Sequence, residues 1–162
     1  MCNAQMECSI LADIASGGAA SIISITPVGG VLYITAVNNT IGTELFYLDA
    51  RGKVQLMADM NPGRPSGSGT FQDLTFFAGK LYFSADDGTH GREMWSCEQP
   101  ASSDDQHTCE MVQDVQPGAA HSSPGEFTLY NDKLYFRAIN ATLGDELWEL
   151  DPRGTRSTDL RG

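Results

Sequence analysis

LYITAVNNTIGTELFYLD (32–49), LYFSADDGTHGREMWSCE (81–98) and LYFRAINATLGDELWELD (134–151) superimpose without a gap. They start at positions 32, 81 and 134, so the chain repeats itself with a period of about 50 residues. Leu-Tyr, then Ala, Asn or Asp, Thr, Gly, Glu, and Phe or Trp return in the same columns each time. Working outward, ILADIASG (10–17), LMADMNPG (56–63) and MVQDVQPG (111–118) share an apolar pair, an Asp and a Gly. Loops rich in Gly, Ser and Pro follow, then apolar runs ending in turn signals: ISITPVGG, FQDLTFFAGK and FTLYNDK.

Each unit therefore carries four short strands: ILAD-like, LTFF-like, LYFSA-like and ELWEL-like. Aromatic and β-branched residues fill them, while Gly, Pro, Asn and Asp mark the turns between hairpin partners. No stretch has a 3.6-residue apolar period, so an all-β chain nearly free of helix is expected. Repeated four-stranded units of this length have the pattern of β-propeller blades.

The LTFF-, LYFSA- and ELWEL-type strands read as the first three of a blade, with the ILAD-like strand closing it. That reading makes 8–14 the outer strand of an incomplete blade. Blades follow at 22–60 and 71–115, and an incomplete one at 126–162 ends in a tail expected to fray. Three blades do not close a ring, since natural propellers use roughly four to eight. The units are expected to belong to a longer repeat chain, or to a ring completed by a second copy.

Composition narrows the function classes. The 162 residues include 10 Lys and Arg against 21 Asp and Glu, a net charge of −11. A chain with only Lys53, Lys80 and Lys133 for lysines is poorly made to displace counterions from nucleic acid. An anionic membrane surface repels it for the same reason. No apolar run approaches the ~20 residues that span a bilayer. Met1 does not open a signal-peptide pattern.

Cys2, Cys8, Cys97 and Cys109 allow three pairings. Repeat register chooses among them. Cys8 and Cys109 each stand five residues before the recurring Asp, at the start of an outer strand. Cys97 lies in the strand before Cys109, across the insertion EQPASSDDQHT (98–108). Disulfides Cys97–Cys109 and Cys2–Cys8 are expected, which argues for an oxidising, extracellular compartment. Scattered His90, His107 and His121 do not suit a zinc site. Asn38-Asn39-Thr40 and Asn140-Ala141-Thr142 match the glycosylation pattern, at the same repeat position. The same column also suits an Asx turn, and the middle unit has Asp87-Gly88-Thr89 there.

Glu44, Glu93 and Glu146 recur two residues after a turn glycine. Capping the N–H groups of the preceding turn explains them without a ligand. Asp13, Asp59 and Asp114 recur before the Gly-rich loops and are expected to fold those turns. Calcium has a weak candidate site at Asp86, Asp87 and Glu93; otherwise no cofactor is called for. Tyr33, Tyr82 and Tyr135, with Phe46, Trp95 and Trp148, are expected to pack between blades, both tryptophans largely buried. No nucleophile elbow, Cys/His pair or phosphate-binding Gly loop appears.

The string G-x-E-L-W-x-x-D, preceded by LYF-x-A, resembles the ELWxxDGT repeat family. The best copy is LYFRAINATLGDELWELDPRGT (134–155), and the resemblance extends over about 8–155. The family's D-G-T appears as DARG (49–52) and DPRG-T (151–155), and the middle unit has the Cys insertion instead. The resemblance implies a large secreted or surface protein built of tandem propeller-type repeats, with no general catalytic activity. The expectation is a non-catalytic extracellular module for scaffolding, adhesion or filament assembly. Its partners would be other protein subunits or copies of itself, and glycans are a second class. The alternative functions are a lectin, with calcium in its sites, and a glycan-cleaving enzyme.

Overall fold

A computed structural model describes residues 8–14, 21–62, 71–98, 107–151 and 158–159. They form twelve strands and no helix. Strands β1 (Ser21–Val28), β2 (Val31–Asn38), β3 (Gly42–Leu48) and β4 (Val54–Ala58) make one antiparallel sheet in chain order. A second sheet holds β5 (Gln72–Phe77), β6 (Lys80–Asp86), β7 (Arg92–Glu98) and β8 (Cys109–Gln113). The third holds β9 (Gly125–Tyr130), β10 (Lys133–Asn140), β11 (Gly144–Leu150) and β12 (Thr158–Asp159).

The first hairpin of every sheet turns on two residues with positive φ: Gly29-Gly30, Ala78-Gly79 and Asn131-Asp132. Two such residues in succession give the turn whose twist matches antiparallel strands. The repeat extends to the bulges. Register shifts at Leu45/Phe46 between β3 and β4, and at Met94/Trp95 between β7 and β8, fall in the same column.

Alternation along each strand sends one side chain forward and the next back, so a sheet can pack on both faces. Tyr33, Leu45, Tyr47 and Met57 of the first sheet meet Leu81, Phe83, Ala85 and Cys97 of the second. On its other face the second sheet offers Tyr82 and Met94 to Leu134, Phe136, Trp148 and Leu150 of the third. The first strands of the sheets approach one another in order, β1 near β5 and β5 near β9. Thr35 and Ser84 share the forward faces of β2 and β6 with Tyr33 and Tyr82, and both are fully covered. The third sheet departs from this. Its equivalent residue is exposed Arg137, paired with Asp145 at 2.6 Å.

Two expectations are corrected. Residues 8–14 do not form an outer strand; Cys8 makes a single bridge, and Ile10 is 89% exposed. Of that segment only Ile14 finds an apolar surface, against Ile34, Ala36 and Phe46. The tail is not wholly frayed, because Thr158 and Asp159 pair with Glu149 and Trp148. Among the described residues no helix is long and apolar enough to cross a membrane.

Candidate functional site

The recurring glutamates stand at the heads of third strands, and antiparallel pairing sets each of these beside the end of a fourth. Leu45 pairs with Ala58, which brings Glu44 to the segment leaving β4. The Met60 N–H accordingly donates to Glu44 Oε2 at 3.2 Å. Glu93 does more. It accepts from the N–H groups of Val115 (3.0 Å) and Ser122 (3.1 Å), and Ser122 Oγ lies 2.5 Å from its Oε2. The acceptor role is as expected, but the donors lie after the fourth strand and not in the preceding turn. Glu146 is part-exposed.

Ser122 and its neighbours lead into the third sheet, so Glu93 fastens the connection between two sheets. Arg92 helps from the backbone: its carbonyl accepts from the N–H groups of Ser122 and Ser123. The His121 ring accepts from the Arg92 N–H at 2.7 Å. Ser122 carried no signal in the sequence beyond its place in a Ser-rich loop.

These carboxyls are unusual acids. Burial, then the negative charge of Asp59, lifts Glu44 to about 8, against a smaller opposing pull from the Met60 N–H. Burial also raises Glu93, and Asp114 adds to it, while hydrogen bonds from Ser122 and Val115 only partly offset this. Asp59 and Asp114 each keep Oδ1 buried without a hydrogen-bond partner among the described residues, so neither is seen to use that atom to fold its loop.

Asp86, Asp87 and Glu93 do not converge as calcium ligands. Asp86 accepts from the Gly88 N–H at 2.7 Å, and Glu93 is committed to the Ser122 connection. Asp87 accepts from the N–H groups of Thr89 and His90 and meets the His90 ring at 2.7 Å. Burial pushes Asp87 up, but these three bonds together outweigh it and hold it below the usual carboxylate range. Among the described residues no three His, Cys, Asp or Glu side chains gather where they would hold a metal ion.

Asn38 and Asn140 close Asx turns, with Oδ1 accepting from Thr40 (2.8 Å) and Thr142 (2.9 Å). Their amide nitrogens also reach backward along the chain. Asn38 donates to the Ile14 carbonyl at 2.8 Å, and Asn140 to the Val115 carbonyl at 2.7 Å. The atom to which an N-linked glycan would be attached thus clamps one unit to the one before it.

Cys97 and Cys109 are joined directly across β7 and β8, with 4.1 Å between their Cα atoms. Cys8 is also disulfide-bonded. Cys2 lies outside the described residues, as does most of the 98–108 insertion.

Of the recurring aromatics, Tyr33, Tyr82, Phe46 and Trp148 are buried, and Tyr135 is half-buried. Trp95 differs from the expectation. It is half-buried and borders a cleft of about 420 Å³, together with Met57, Asp59, Met60, Asp87 and His107. The sequence reading missed this cleft, although Asp87 in a column otherwise filled by Asn was its visible sign. No protein-family model matches the chain, and no curated protein matches it.

Proposed function

We propose that the chain is a non-catalytic, extracellular interaction module, its sheets serving as propeller-type blades of a scaffold. In this reading it is an ELWxxDGT-type repeat protein whose partners are other subunits or further copies of itself. One observation carries the non-catalytic part. Glu44 and Glu93, the recurring carboxyls best suited to acid–base work, are occupied in holding backbone N–H groups. A disulfide between neighbouring strands supports the extracellular part. Successive sheets on a common plan build a broad, stiff surface of the kind repeat proteins use for binding.

The test is carboxylate-directed cross-linking of the protein in its native source, read by mass spectrometry. Recurrent links from one set of loops to a fixed group of proteins, or to other copies of the chain, are the expected result. Saturable, calcium-dependent binding of methyl glycosides, about one per repeat and with no recurrent protein partner, would replace this reading with a lectin.

A further inference from the structure

The fastening that holds consecutive units together elsewhere among the described residues is missing at the boundary between the first and second sheets, and a tryptophan bond made within the third sheet is missing within the second. The first is the Asn clamp. Asn38 and Asn140 each donate to a carbonyl of the preceding segment, but their counterpart here is Asp87, whose carboxylate has no N–H to give. The Met60 carbonyl, equivalent to those of Ile14 and Val115, therefore lacks its Asn donor. The second is the tryptophan bond. Trp148 is 5% exposed, and its Nε1 donates to the Ala138 carbonyl at 3.1 Å. Trp95 in the same column is half-buried, and its Nε1 is covered and has no hydrogen-bond partner among the described residues.

The space left at this boundary is the cleft of about 420 Å³. That is within the range of small-ligand pockets and suits one side chain with its flanking backbone better than a large molecule. An indole forms part of its wall, the thioethers of Met57 and Met60 add apolar surface, and Asp59 and Asp87 bring two carboxylates. No Lys or Arg is among the described lining residues. Asp59 Oδ1 is buried and has no hydrogen-bond donor among the described residues. A planar cation that stacks on the indole and meets Asp59 edge-on suits this lining, with Asp87, already bonded to its own turn and to the His90 ring, adding negative charge beside it.

We propose that the cleft between Asp59, Asp87 and Trp95 is a docking pocket for an arginine side chain of a partner protein. This deepens the interaction-module reading and rests on it. Departures from the repeat that only loosened the fold would be scattered; here two fall together and leave a shaped, acidic, aromatic-walled space.

The experiment follows the indole N–H resonances of ¹⁵N-labelled protein during titration with N-acetyl-arginine amide. N-acetyl-citrulline amide serves as the uncharged isostere, and Trp148→Phe assigns the two signals. Trp95 is expected to shift saturably with arginine while Trp148 stays still. Citrulline should bind roughly ten-fold more weakly or worse, and Asp59→Asn and Asp87→Asn should each weaken arginine binding by about ten-fold. The Trp148 signal reports that each variant remains folded. A Trp95 signal that does not move at tens of millimolar arginine, or that responds equally to citrulline, overturns the proposal. If recurrent protein cross-links persist in that case, only the pocket is lost and the interaction module stands. If methyl glycosides move Trp95 instead, both readings give way to a lectin.

Discussion

Asn140 Nδ2 donates to the Val115 carbonyl at 2.7 Å, joining the second turn of the third sheet to the connection that leaves the second. Asn38 makes the equivalent bond to Ile14. The clamp can be separated from the turn that Asn140 also forms. Asn140→Asp keeps the acceptor for the Thr142 N–H and replaces the donor with a carboxylate oxygen that the Val115 carbonyl repels. It is expected to cost about 1–2 kcal/mol, read as a melting temperature lower by a few degrees. Asn140→Ala should cost more, because it also strands the Thr142 N–H. An unchanged melting temperature in Asn140→Asp would show that the inter-sheet bond contributes nothing.

Gly91 and Gly79 make a controlled pair. Both have positive φ, +70° and +86°. A Cβ on Gly91 would lie 2.4 Å from the Ala120 carbonyl oxygen, whereas one on Gly79 meets nothing within 4 Å. Gly79→Ala should therefore pay only the left-handed backbone penalty of roughly 1–2 kcal/mol. Gly91→Ala must also push two backbone segments apart and should be clearly the more destabilising in chemical denaturation. Equal effects would mean that the connection at Ala120 yields freely.

Cys97 and Cys109 are 12 residues apart in sequence and directly opposed in the sheet. Replacing both with Ala opens a short loop in the unfolded chain and should cost roughly 2–3 kcal/mol. Proteolysis should then strike the 98–108 insertion sooner. If melting and cleavage rate both stay the same, the bond is not a staple.

Glu44 gives the fold a pH dependence with a definite sign. Its carboxyl titrates at about 8 when folded, against an ordinary value of 4.5. Below the ordinary value both states hold the proton and the full stability is present. Between the two values the unfolded chain releases a proton that the folded chain keeps, so stability falls as pH rises. The loss is on the order of a few kcal/mol once solvent screening is allowed for, and it levels off above the folded value. Glu44→Gln retains an acceptor for the Met60 N–H and cannot ionise. It should melt like the parent at acidic pH and several degrees higher in mildly alkaline buffer. A constant difference at all pH values would remove Glu44 from the account.

Much of the fold was legible because the repeat supplied three copies of every signal. The turn pairs Gly29-Gly30 and Asn131-Asp132 could be read locally, and the Cys97–Cys109 pairing followed from register. The tertiary consequences were not legible in the same way. Which N–H groups Glu93 would hold depended on a segment some thirty residues on arriving beside the head of β7. The cleft depended on what Asp87 fails to do for the neighbouring unit, and a single repeat contains no sign of that. Residues 8–14 misled because an apolar pair there repeats the pattern of an outer strand, while in the structure Cys8 makes a single bridge and Ile14 alone packs on an apolar surface.

Arg137 makes the three copies unequal in a further way. The other two units fill its column with Thr35 and Ser84, both sealed beneath the next sheet, while Arg137 and Asp145 stand in solvent. Whatever packs on this face of the third sheet therefore meets a different surface from the one that Thr35 and Ser84 present. A small hydroxyl can be buried flat under a neighbouring strand, whereas a guanidinium and a carboxylate taken out of water together need close partners, because their mutual attraction alone does not reliably offset the desolvation. The junction on the third sheet is thus chemically distinct from the other two, and Arg137→Ser is the change that would make it like them.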